Sequence, residues 1–158
     1  MSARAGLIVE CRFGTRTQVP SRRLLQRWAD AALGARGAGR EMALQTVGLA
    51  RMRTLNRRYR GKDKPTNVLA FPAVATGVQP LPLGDVVICP AVLQHEARAQ
   101  GKPERAHWAH LVVHGTLHLA GYDHEREEDA GRMERREIAV LRSLGFPNPY
   151  RTTRGAPR

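Results

Sequence analysis

Residues 114 to 124 read HGTLHLAGYDH and hold three of the chain's six histidines. On a helix, side chains four residues apart lie one above the other on a single face. His114 and His118 can therefore grip one metal ion without any backbone adjustment. Gly121 follows where a helix needs a left-handed residue to turn back. Beyond that reversal, His124 can reach the same ion. Three neutral imidazoles with one open position make a catalytic zinc arrangement, whereas a structural site closes its shell with a fourth ligand. Burying such rings in an apolar helix without partners would be costly, because each needs hydrogen bonds. The expectation is one Zn2+ per chain on His114, His118 and His124. His110 continues the stripe one turn earlier, and His107 lies three residues before that. Either is a supporting or substrate-facing group, or else an ordinary helix histidine.

The spacing H-x3-H-x2-G-x2-H is also that of the metzincin proteases, which require Glu directly after the first histidine as general base. Here that position is Gly115. Without a proton acceptor, peptide hydrolysis loses on the order of a hundredfold or more. The metal geometry survives, and it suits a substrate that needs anion stabilisation more than base help, such as a phosphodiester. A second constellation supplies that stabilisation. The stretch LNRRYRGKDKPTNVLAFP (55–72) carries Arg57, Arg58, Arg60, Lys62 and Lys64, with Tyr59 interleaved. A guanidinium binds phosphate oxygens bidentately. The wider balance points the same way: 26 Lys and Arg against 14 acids give a net charge of +12. An excess of that size favours polyanionic partners.

These groups need elements to hold them. Apolar periodicity predicts strands over 7–13, 41–47, 68–71 and 85–89. Helices are predicted from Ser21 to Gly34, Leu49 to Tyr59, Pro90 to Gln100, Glu104 to Ala120 and Glu127 to Leu144. The second of these carries Leu49, Met52, Leu55 and Tyr59 on one side. The fourth is apolar nearly all round, with Trp108, Leu111, Val112, Val113, Leu117 and Leu119, and should be a central buried helix. The stretch 73–83, with Gly77, Pro80 and Pro82, reads as a surface loop. The fold class is α+β, a small mixed sheet packed by about five helices. A single domain is expected over 1–150, with a basic, disordered tail over 151–158. No run approaches the length of a membrane-spanning helix, and the apolar patch from Gly6 to Val9 is too short for a signal peptide. The expected compartment is the cytoplasm, where Cys11 and Cys89 stay as free thiols.

The segments LNRRYRGKDKPTNVLAFP (55–72), LGDVVIC (83–89) and GKPERAHWAHLVVHGTLHLAGYDH (101–124) together resemble the YbeY family of bacterial endoribonucleases. The likeness runs from about residue 50 to 150. It implies an α+β sandwich with a basic groove leading to a zinc held by His114, His118 and His124. It implies Arg60 as the functional arginine beside the metal, and Arg57, Lys62 and Lys64 as lining of the groove. It further implies single-strand-specific cleavage in maturation of the 3′ end of 16S ribosomal RNA and in ribosome quality control, with RNA and the small ribosomal subunit as partners. No general base is identified; Asp85, His110 and Asp123 remain open, Asp85 and His110 also as supporting groups. Two other readings stay on the page: a ribosome-assembly or RNA-binding factor with a structural zinc, and a metalloprotease.

Overall fold

The structure is a computed structural model that describes residues 6–74, 81–122 and 127–151. Among these residues, four strands form one mixed sheet: β1 (Ile8–Phe13), β2 (Arg40–Thr46), β3 (Val68–Pro72) and β4 (Leu81–Ile88), in the order β1-β2-β4-β3. β1 and β4 both run parallel to β2, and β3 pairs antiparallel with β4 along one edge. Five α-helices accompany them: α1 (Arg22–Leu33), α2 (Leu49–Arg60), α3 (Pro90–Gln100), α4 (Glu104–Leu119) and α5 (Glu127–Ser143). The α+β class and its mixed sheet are as the sequence predicts.

Local chemistry starts and stops these helices. The Ser21 hydroxyl accepts the Leu24 N–H at 3.2 Å, satisfying a donor that the first turn of α1 cannot pair internally. Pro90 opens α3, where a missing N–H costs nothing. Alternation along the strands then divides the side chains between two faces. Met42, Leu44, Val86 and Ile88, joined by Val68 and Ala70, pack against buried residues of α1, α4 and α5. Leu69, Val87 and Cys89, joined by Phe71, meet Met52 and Leu55 of α2 on the opposite face. Both cysteines are buried and unbridged. No helix among the described residues is long and apolar enough to cross a membrane.

Two elements differ from the sequence expectation. β4 begins at Leu81, inside the stretch read as a loop, and takes in Pro82 opposite Glu41. The ladder to β2 slips between Glu41 and Met42, so a residue without an N–H falls where pairing is already irregular. In α2 the buried pair is Met52 and Asn56, while Leu49 and Tyr59 are 51% and 59% exposed. The Asn56 amide donates to the Lys64 carbonyl at 2.8 Å, which ties the basic loop back to its helix.

α4 lies close against the sheet because of Gly115. A Cβ there would meet Cγ1 and Cγ2 of Val86 at 2.7 and 3.0 Å. The position that a metzincin fills with its base thus has no room for a side chain. Gly115→Glu is expected to destabilise the fold by roughly 3 kcal/mol through overpacking and burial of a carboxylate, without creating peptidase activity. Chemical denaturation measures this, and an unchanged midpoint would mean that helix and strand are not so close.

Candidate metal centre and basic cleft

α4 displays His107, His110, His114 and His118 over three turns, and α5 crosses beside it. From α5, Glu137 enters between the helices with no exposed surface. Its Oε2 lies 2.6 Å from His114 Nδ1 and its Oε1 lies 2.9 Å from His110 Nε2. The Tyr150 hydroxyl, from the segment after α5, also donates to Oε1. Burial alone would raise the carboxyl pKa, but the bonds from His110, His114 and Tyr150 outweigh it, holding Glu137 down to about 2. Tyr150 shifts the other way, through burial and the neighbouring carboxylate, and stays protonated.

An ionised carboxylate only accepts hydrogen bonds. The proton on His114 must therefore sit on Nδ1, which leaves the Nε2 lone pair available to a ligand. This is how buried carboxylates fix the tautomer and raise the basicity of metal-binding histidines. His114 is 27% exposed and His110 13%. His114 and His118 line a cavity of about 380 Å³ together with Tyr59, Arg60, Val68, Leu69, Ala70 and Phe71. One ligand atom each from His110, His114 and Glu137 also lie within 4.8 Å of one another, so this group too could hold an ion.

Arg60 is the last residue of α2 and also lines this cavity. Arg57, Lys62 and Lys64 are exposed around the same helix end but are not among the residues lining it. Arg57 lies 3.9 Å from Asp63, which Arg53 engages through two bonds of 2.8 and 2.9 Å. Below α4 the chain reverses at Gly121, whose φ of 101° is open to glycine and strained for other residues. The Gly121 and Tyr122 N–H groups donate to the His118 and Leu117 carbonyls and close the helix end. His124 and Asp123 lie outside the described residues.

The remaining sequence candidates separate clearly. His107 Nε2 lies 2.9 Å from Glu96 Oε1, which also accepts from the Asn67 amide at 2.9 Å. Burial lowers the His107 pKa despite Glu96, so this ring fastens α4 to α3. His110 shares Glu137 with His114. Asp85 sits on the α2 face of the sheet, in a separate cavity, and accepts from Gln45 at 3.4 Å. Sequence reasoning missed Glu137 and Tyr150. A signal for Glu137 existed: it falls in the helical stripe of Met133, Val140 and Leu141, which is otherwise apolar and buried. Tyr150 gave none.

Fold and site together define a class: an α+β protein with one mixed sheet, whose buried helix presents two histidines, one of them backed by a buried carboxylate of α5, to an arginine-bearing cleft. Comparison with known proteins narrows the class. The family described as Endoribonuclease YbeY matches residues 14–145. Endoribonuclease YbeY of Alkalilimnicola ehrlichii is 52% identical over 141 residues, covering 86% of this chain and 85% of that protein. The Methylococcus capsulatus protein of that name is 53% identical over 137 residues, covering 86% and 90%. That of Halorhodospira halophila is 47% identical over 135 residues, covering 83% and 88%. The solution structure of TM1509 from Thermotoga maritima shares the fold, with a TM-score of 0.57 at 23% identity, covering 91% of this chain and 99% of that one. The chain belongs to the YbeY endoribonuclease family.

Proposed function

We propose that this protein is a zinc-dependent, single-strand-specific endoribonuclease of the cytoplasm. In this reading it matures the 3′ end of 16S ribosomal RNA on the small subunit and serves ribosome quality control. One observation carries the catalytic part: Glu137 clamps His114 through Nδ1 at 2.6 Å, and the ring then faces a cleft that Arg60 shares. The donor set suits a divalent ion of zinc's softness. His114, His118 and His124 would hold it, and His110 would support the cluster through Glu137. Zinc in such a site supplies Lewis acidity toward a phosphate oxygen.

The chain's own residues do the rest. Arg60 stabilises charge that builds on the non-bridging oxygens. Arg57, Lys62 and Lys64 hold the flanking RNA backbone at the cleft's rim, consistent with a net charge of +12. Residues 1–150 act as one catalytic domain, followed by the basic tail 151–158. The names of the relatives at 47% to 53% identity support this reading.

A second placement of the ion, on His110, His114 and Glu137, is favoured by their 4.8 Å proximity. The test is metal analysis of purified protein alongside cleavage of single-stranded RNA, with and without chelator. One zinc per chain and cleavage abolished by chelator are expected, with the zinc lost in His118→Ala. Chelator-resistant cleavage sinks the zinc reading. Zinc kept in His118→Ala but lost in His110→Ala moves the ion to the second placement.

A further inference from the structure

The sheet face turned away from the histidines is only partly covered by α2. Strand register puts Asp85 beside Ala43 and Phe71, and Val87 beside Gln45 and Leu69, in two adjacent rows on that face. Arg12 of β1 extends the second row next to Gln45. What α2 leaves open is a cavity of about 390 Å³ lined by Gln45, Arg51, Leu55, Tyr59, Phe71, Asp85 and Val87. Nothing in the metal chemistry uses it.

Its composition is specific. Tyr59 is a large aromatic left 59% exposed, and its ring stands edge-on to Phe71 with centroids 5.1 Å apart. A half-buried carboxylate and carboxamide, Asp85 and Gln45, sit at the floor within 3.4 Å of each other. Arg51 provides a cation at the rim. Tyr59 and Phe71 line this cavity and also the cleft of His114, His118 and Arg60. The two cavities therefore adjoin at Tyr59 and Phe71, beside the edge strand β3.

Exposed aromatics on an open sheet face are a platform for unpaired bases, with neighbouring polar side chains reading the base edge. An ionised carboxylate accepts but cannot donate. It matches guanine, whose ring N–H and exocyclic amine present two donors side by side. Uracil, with a single N–H between two carbonyl acceptors, is repelled. Arg51 adds the positive charge that an adjoining phosphate requires.

We propose that the cavity between α2 and the open sheet face is a base-recognition subsite. It holds a guanine of single-stranded RNA next to the cleavage position, stacked on Tyr59 and read by Asp85 and Gln45. The proposal rests on the RNA-cleaving reading above and adds sequence preference to it.

The test compares kcat/KM of the full-length, zinc-loaded protein on short single-stranded RNAs. The RNAs differ only in carrying guanine, inosine, uracil or an abasic residue at each position flanking the cut. At one position guanine should exceed the abasic RNA by roughly tenfold to a hundredfold. Inosine, which lacks the exocyclic amine, should fall between them. Asp85→Asn and Tyr59→Ala should each bring the guanine-to-abasic ratio toward one; the first replaces an isosteric group and the second an exposed ring. Equal cleavage of all four RNAs by the wild type overturns the subsite while leaving the nuclease intact. A guanine preference unchanged in both variants overturns it too. A wild type that cleaves none of the RNAs removes the parent reading, and the subsite with it.

Discussion

Glu137→Ala is expected to be the most damaging single substitution in the protein, costing about 3–5 kcal/mol of stability. Two imidazoles and a phenol donate to that one carboxylate in a space with no water contact. Truncation takes the acceptor from all three donors, of which His110 is the most enclosed at 13% exposed. Zinc affinity should also fall about 10- to 100-fold, because His114 loses the group that fixes its tautomer. Glu137→Gln keeps the shape, yet its amide turns an N–H toward one of the donors, so an intermediate loss is expected. Urea denaturation and chelator competition measure the two effects. A wild-type midpoint in Glu137→Ala would show that the buried cluster does not hold α5 to α4.

Acid should reproduce part of this loss. Glutamate ordinarily titrates near 4.5, and Glu137 is held to about 2 in the fold. Between those values the unfolded chain binds a proton that the folded chain refuses, so stability declines as pH falls through that window. The decline should be shallower in Glu137→Ala.

Arg60→Ala should behave in the opposite manner, with a large effect on rate and almost none on the fold. Arg60 is exposed at the end of α2, where substitutions ordinarily move stability by about 0.5 kcal/mol or less. Removing a preorganised donor to developing charge typically costs about 100- to 1,000-fold in turnover. Arg60→Lys should recover only part of it, since an ammonium keeps the charge and loses the planar fork. Steady-state cleavage of single-stranded RNA, with zinc content and unfolding midpoint as controls, decides the matter. A variant that cleaves at the wild-type rate, folded and zinc-loaded, would remove Arg60 from the mechanism.

What the sequence disclosed follows from how local each signal is. The i, i+4 spacing of His114 and His118 and the turn at Gly121 are written in one short segment, as are the apolar runs that became β4 and α4. The basic loop after α2 was equally plain. The carboxylate on His114 was not, because 23 residues separate the pair and only the packing of α5 on α4 joins them. The position of Asp85 needed strand register, since one step along β4 decides which side of the sheet a side chain enters. The exposure of Tyr59 depended on how little of the sheet α2 covers, which helical periodicity alone does not report.

The bond from Tyr150 to Glu137 has a consequence for biosynthesis. His110 and His114 leave the ribosome well before the phenol that locks their shared carboxylate. A nascent chain halted between residues 137 and 150 carries the proposed metal ligands and Glu137 but lacks that lock. The completed network therefore belongs to chains translated through that residue, so the machinery of a protein proposed to cut RNA is completed only after its histidines have been made.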